Sequence, residues 1–486
     1  MKITGNTLIE WGFKPGAWFK DAITAANNLA RSATETEIIA EVKKFEPAPI
    51  QIYPPQNLSS MPVHYNIDTE TDYEIDNLAK VKQNIAEIAQ VPVVRAISVM
   101  PDACPQGGGG IPVGSVAVVE NAIIPGMHSA DICCSVAMTV FPSDTDPKRL
   151  LDAGMNLSHF GKGGRPYSHD MQVSTDLLDE FERNPYLSNK GGVAQKHFGT
   201  QGDGNHFFFV GRIESTGQIA LVTHHGSRKP GAMLYNVGVD LAQKMTGQNA
   251  PYLKKHNLWI PYDTEEGQNY WEALQLIRRW TKANHFAIHN AVAKDIGAKD
   301  KDRYWNEHNF VFKREYKGKT YFAHAKGATP AYMGFAPDMV GKTLIPLNMA
   351  SPILIAEVHE DIDHGMNFSV PSLGFSPHGA GRNFSRTDFG KRLAEKGISA
   401  KQMIAEITEK YDVRAYSGKH DISEFPEAYK NADQITKQIE KFGLTKIIDK
   451  IQPIGCIMAG HDESWRDKKK EKKRQRQRES ENDESL

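Results

Sequence analysis

Two adjacent thiols follow a carboxylate in Ala130-Asp131-Ile132-Cys133-Cys134-Ser135-Val136, shortly after a Pro-Gly turn, and they are half of the four cysteines in this 486-residue chain. A thiol beside a divalent cation loses its proton to the ion's field and can bridge two metals, so Asp131 and Cys134 read as a ligand pair. The neighbouring Cys133 reads as a small buried hydrophobe. Histidines recur beside glycine in strand-to-loop text: "GDGNHFFFV" (His206), "VTHHGSR" (His224, His225), "WNEHNFVF" (His308), "FAHAKGAT" (His324) and "SPHGAGRNFSR" (His378). Small neighbours let a bulky ligand approach the backbone, and Asn, Ser and Arg supply donors for anionic oxygens. Imidazole, thiolate and carboxylate together suit Mn²⁺, Zn²⁺ or Fe²⁺. In "HGAGRNFSR", Gly379 and Gly381 permit an unusual backbone around His378, and Arg382 and Arg386 would lie one helical turn apart if a helix starts there. That arrangement could hold a nucleotide's phosphates against an imidazole nucleophile. "KGAT" at Lys326 could add one ammonium, but it is too short for a phosphate-cradling P-loop.

The elements that must carry these groups are readable in part. Asp72 to Gln90 places Ile75, Leu78, Val81, Ile85 and Ile88 at helical steps, Pro92 stops it, and "VVRAISVM" follows as a buried strand. From there to about Val140, glycine and short β-branched runs predict strands and tight turns. "DTEEGQNYWEALQLIRRWTKANHFAIHNAVAKDI" predicts a long helix capped by Asp263 or Thr264. Short strands return after about Tyr304, and further helices are expected near 386–411 and 429–450. No 20–50-residue repeat and no linker divides the body. The fold class is therefore α+β: one large interleaved domain over residues 1–464 with a central metal-binding cleft, then a charged tail over 465–486.

Hydrophobic residues are 40% and charged residues 24% of the chain, as in ordinary soluble globular proteins. No apolar run is long enough to span a membrane, the start lacks a signal-peptide pattern, and four cysteines do not make a disulfide scaffold. A cytoplasmic protein with reduced thiols is expected. The net charge of −1 conceals a basic block followed by an acidic one in "RDKKKEKKRQRQRESENDESL". Such a tail buries no core, and its clustered cations read either as a solvated end or as a contact for a polyanion such as RNA.

Taken together, the motifs resemble the RtcB family of RNA ligases, which join RNA 3′-phosphate or 2′,3′-cyclic phosphate ends to 5′-hydroxyl ends. "MPDACPQGGGGIPVGSVA", "PGMHSADICCSV", "GTQGDGNHFFFV", "HHGSR", "EHNF", "HAKGATPA", "HGAGRNFSR" and "SEFPEAYKNADQI" follow the family's motifs in order from about residue 70 to 460. The resemblance implies two Mn²⁺ ions on Asp131, Cys134, His206, His224 and His308, with Cys134 bridging. It implies His378 as the nucleophile that takes the nucleotidyl group from GTP or another nucleoside triphosphate. Asn205, Lys326, Arg382 and Arg386 would contact phosphates, and Tyr429 and Asn348 would lie by the nucleotide. The implied partners are RNAs with broken ends, such as tRNA or rRNA fragments. An end-processing phosphodiesterase, or a catalytically silent binder of RNA ends, is the alternative.

The chain departs from the family pattern where the nucleobase is held. Phe209 stands at a glutamate place, Asn348 and Ile353 at serine places, and Met458 or Ala459 where a lysine is expected. Ala325 replaces an arginine, Cys104 replaces the histidine of the MPD motif, and His225 occupies a serine position. The metal and nucleophile machinery is expected to persist while the base pocket is rebuilt as apolar, so that guanine preference is weakened or replaced.

Overall fold

The computed structural model describes residues 2–461, apart from 31–32, 48–49, 58, 60, 107–108, 166–168 and 361–366. The charged tail expected over 465–486 lies outside the described residues. Two compact units are present, Met1–Tyr53 and Pro54–Leu486. The first unit, which falls within the 1–464 domain expected from sequence, has a small core of its own. Its helices Gly5–Glu10, Phe19–Leu29 and Glu35–Lys43 bury Leu8, Phe19, Ala22, Ala26, Ile38 and Val42 together. Thr34 caps the third helix, with Glu37 reaching back to the Thr34 N–H at 2.7 Å.

The larger unit is α+β and carries the chemistry-bearing residues. A five-stranded sheet runs in the order Val63–Tyr65, Val94–Cys104, Val113–Glu120, Lys319–Lys326 and Asn309–Tyr316. A larger sheet runs in the order Asp302–Glu307, Ser135–Phe141, Ile219–His225, Phe207–Ile213, Lys446–Met458, Ile353–Glu357 and Lys342–Pro346, with Asp412–Ala415 pairing off Lys446–Met458. Ser135–Phe141 and Ile219–His225 are buried along their whole length, as strands covered on both faces must be. The cover behind them is the helix Glu265–Ile296, which begins where Thr264 accepts the Gly267 N–H at 3.0 Å and ends at left-handed Gly297.

The helix expected from Asp72 is observed over Asp72–Ile88, and the strand after Pro92 over Val94–Cys104. The helix expected over 386–411 is two, Arg386–Glu395 and Ala400–Lys410, parted at left-handed Gly397. The one expected over 429–450 stops at Lys441: Gly443 turns left-handed, and "KIIDKI" then enters the large sheet as Lys446–Met458. Gly443 ends the helical turn, and the β-branched residues after it pack in a strand. Among the described residues, no helix is long and apolar enough to cross a membrane.

Candidate metal and nucleotide site

Four neighbouring strands of the large sheet are antiparallel, so the end of one lies beside the start of the next. Cys134 precedes Ser135–Phe141, His206 precedes Phe207–Ile213, His224 lies near the end of Ile219–His225, and His308 follows Asp302–Glu307. Residues spread over some 175 positions of sequence therefore meet at one edge. His308 also leads into Asn309–Tyr316 of the five-stranded sheet, so the site lies where the two sheets meet.

The turn at Asp131 to Cys134 explains the opening motif. Cys133 adopts a left-handed φ of 58°, and the Cys134 N–H donates to the Asp131 carbonyl at 3.2 Å. This reversal presents the Asp131 carboxylate and the Cys134 thiol to the same side, while Cys133 is fully buried as the apolar residue expected. Gly226 permits the approach, since a Cβ there would lie 2.1 Å from Asp131 Oδ1.

Two triads result. Asp131, Cys134 and His206 form one, and Cys134, His224 and His308 the other; the ligand atoms within each lie within 4.8 Å of one another. Cys134 belongs to both. Its Sγ is 3.6 Å from His206 Nε2 and 3.2 Å from His224 Nε2, and His206 Nε2 is 3.1 Å from Asp131 Oδ2. The far nitrogens are fixed by carbonyls: His206 Nδ1 donates to Gln201 O at 2.7 Å, and His224 Nδ1 to Asn205 O at 3.1 Å. Each ring thus turns an Nε2 lone pair inward, as outer hydrogen bonds do for metal-binding imidazoles. His224 Nε2 and His308 Nε2 face each other at 3.1 Å, and His308 Nδ1 is buried with no hydrogen-bond partner among the described residues. A thiol, a carboxylate and three imidazole nitrogens converging in this way form a donor set that fits cations.

The electrostatics agree. Burial, reinforced by His206 and His378, lowers His224 to about 3, and burial with His378, His224 and His206 beside it pushes His308 well down, so both rings are neutral ligands at pH 7. Burial drives the Cys134 thiol well up, and Asp131 adds to it; a bound cation would reverse this. Burial alone would raise the Asp131 carboxyl, but His206 outweighs it and holds the group below the usual carboxylate range.

His378 follows the short strand Phe375–Pro377, and its ring lies 4.7 Å from that of His308. Its Nδ1 donates to Asp102 Oδ2 at 2.6 Å and to Gly327 O at 2.9 Å, which leaves Nε2 as a lone pair. Asp102, fully buried on the strand Val94–Cys104, was missed by residue-level reading although it stands in the quoted "MPD" text. Gly381 lets the loop lie against that strand, because a Cβ there would be 2.0 Å from Asp102 O.

A cavity of about 250 Å³ opens beside this histidine, with Asn205, His224, Asn348, His378, Arg382, Arg386 and Tyr429 among its walls. Lys326 is not on them; its Nζ donates to Ile111 O at 3.4 Å, and burial lowers it to about 8. Arg382 and Arg386 share a partner the motif reading did not single out. Buried Glu424 takes Arg382 Nη1 at 3.2 Å, Arg386 Nη2 at 2.6 Å and the Tyr429 hydroxyl at 2.5 Å. The Arg382 guanidinium also lies 5.2 Å from the Tyr429 ring centre. Two further histidines lie elsewhere. His324 Nε2 accepts the Ile124 N–H at 2.9 Å, and His225 points to the rear of its strand, its ring centre 3.4 Å from that of His285.

The family model for tRNA-splicing ligase RtcB matches residues 180–459, more than half of the chain. The chain belongs to the RtcB family. Similar members include the tRNA-splicing ligase RtcB of Aeropyrum pernix, 26% identical over 78% of this chain and 92% of its own length. That of Thermococcus kodakarensis is 26% identical over 77% and 90%, and the RNA-splicing ligase RtcB homolog 1 of Entamoeba histolytica 24% over 76% and 82%. The RtcB match includes His206, His224, His308 and His378, whereas Asp102, Asp131 and Cys134 precede it.

Proposed function

We propose that this chain is a metal- and nucleotide-dependent RNA ligase that joins 3′-phosphate or 2′,3′-cyclic phosphate ends to 5′-hydroxyl ends through a nucleotidyl-histidine on His378. The observation that carries the reading is the thiol common to two ligand triads, set beside an imidazole whose Nδ1 is held by a buried carboxylate. Asp131, Cys134, His206, His224 and His308 would hold two divalent ions, for which Mn²⁺ suits the mixed donors; such ions would neutralise phosphate oxygens entering and leaving.

Asp102 and Gly327 O keep the His378 proton on Nδ1, so Nε2 attacks the α-phosphorus of a nucleoside triphosphate. The P–N bond forms as the bond to pyrophosphate breaks. An RNA 3′-phosphate oxygen then takes the nucleotidyl group, and His378 leaves as the imidazole. The RNA 5′-hydroxyl attacks the activated 3′-phosphorus and expels the nucleoside monophosphate, leaving a phosphodiester. A cyclic end is first opened by water. Glu424 fixes Arg382 and Arg386 at the cavity wall, where phosphates would approach. Broken tRNA or rRNA in the cytoplasm is the substrate this reading favours.

The test supplies Mn²⁺, the four nucleoside triphosphates and two RNAs, one ending in 3′-phosphate and one starting with 5′-hydroxyl. Joined product is expected, and none when the 3′ end is a hydroxyl. Joining by the His378→Ala variant, or hydrolysis of the ends without joining, would overturn the proposal.

A further inference from the structure

We propose that the nucleotide's base enters an apolar slot that does not demand guanine and accepts adenine nucleotides with comparable affinity. The inference rests on the nucleotide-dependent reading above and adds which base the chain takes.

The slot is built by strand alternation. In the large sheet Phe207 pairs with Met458 and Phe209 with Cys456, so these four side chains share one face. Phe207 also pairs with His224 across the next strand, and their rings lie 5.2 Å apart. The face that brings an imidazole to the metal triad thus continues directly as hydrocarbon and sulfur. Ile353 and Met349 complete the apolar wall of the cavity that also holds His378. A base extending from phosphates at His378 would meet this wall.

Guanine differs from adenine in its edge: N1–H and N2–H₂ must find acceptors, and leaving such donors buried without them is unfavourable. Among the described residues beside the apolar wall, the two side-chain acceptors, Glu424 and Asn348, are committed, while Asn205 precedes the ligand His206 at the metal end of the cavity. Glu424 is the one carboxylate on the cavity wall, and its oxygens already receive Arg382, Arg386 and the Tyr429 hydroxyl. Asn348 Oδ1 accepts the Ala350 N–H at 3.0 Å, so Nδ2 is the group this cavity residue offers a ligand. That donor suits a ring acceptor, and adenine offers N1, N3 and N7. The Tyr429 ring, backed by the Arg382 guanidinium, supplies a planar surface any base can stack on.

The experiment measures calorimetric binding of AMP and GMP to the full chain, then mass-spectrometric labelling by ATP and GTP. AMP binding as tightly as GMP, or within about threefold of it, is expected. GMP binding tighter by more than that, or neither nucleotide binding, would overturn the proposal. Asn348→Asp keeps the oxygen that accepts Ala350 N–H and converts the Nδ2 donor into an acceptor. It should swing the ratio toward GMP by about tenfold; an unchanged ratio would contradict the slot. If both monophosphates bind and no triphosphate labels the protein, the nucleotidyl-transfer reading fails while the slot stands.

Discussion

One strand, Ile219–His225, carries a histidine cluster on each side. In front, His224 meets Cys134, His206 and His308. Behind, His225 stacks on His285, and His285 and His289 share the Thr223 hydroxyl at 2.7 and 2.8 Å. His285 also meets Ser135 Oγ at 3.0 Å, and His289 meets Thr139 Oγ1 at 2.7 Å. Burial holds His224 and His308 in front, and His225, His285 and His289 behind, as neutral rings. Hydroxyls can donate or accept, so the rear network satisfies itself. The front set gathers a thiol, a carboxylate and imidazole nitrogens, a donor set that cations would complete. What separates a metal centre from a structural cluster is the chemistry of the partners rather than the number of histidines.

Breaking the front should abolish function. Cys134→Ala removes the atom common to both triads, so bound Mn²⁺ measured by elemental analysis should fall by more than the about 10–100-fold typical of losing an outer hydrogen-bond partner. Asp102→Asn should leave metal content intact and slow covalent labelling by about 10²–10⁴-fold, because the amide can hold the wrong His378 tautomer. If metal content falls equally in Asp102→Asn, the division between metal site and nucleophile is wrong.

Breaking the rear should weaken the fold. His285→Ala opens a cavity and strands buried hydroxyls, so denaturant unfolding should show a loss of about 2–4 kcal/mol with Mn²⁺ stoichiometry unchanged. Acid should act on neutral buried rings wherever they lie, on His289 in the rear cluster and on His324 and its stacked neighbour His128 elsewhere in the core. Burial depresses His289 and His324 to about 3, and His128 to about 4. The unfolded chain protonates near 6.5 and the folded one does not. The metal-free protein should therefore be most stable above pH 6.5 and lose about 1.4 kcal/mol per pH unit for each such ring as pH falls toward 4. A flat unfolding free energy between pH 7 and 5 would contradict this.

Much of the front was legible because its residues are chemically conspicuous. A carboxylate and thiol beside a Pro-Gly turn, and histidines flanked by glycine, state their use in local text. Asp102 was harder: one acid after Met-Pro has no local mark, and only folding sets it against His378, 276 positions away in sequence. Glu424 was obscured in the same way, since its role is to neutralise arginines that sequence alone leaves free for phosphate. Helix ends misled where glycine intervened, as at Gly397 and Gly443. The three N-terminal helices lie outside the elements read from the sequence, although Phe19, Ala22 and Ala26 fall at helical steps and Thr34 with Glu37 forms a capping box.

The decisive measurement is to incubate the protein with Mn²⁺ and nucleoside triphosphates, digest it under alkaline conditions, and locate the added mass by tandem mass spectrometry. A nucleoside monophosphate on His378, absent from His378→Ala and from Cys134→Ala, is the expected result. The same mass on any other residue, or its persistence in either variant, would contradict the assignment of this site.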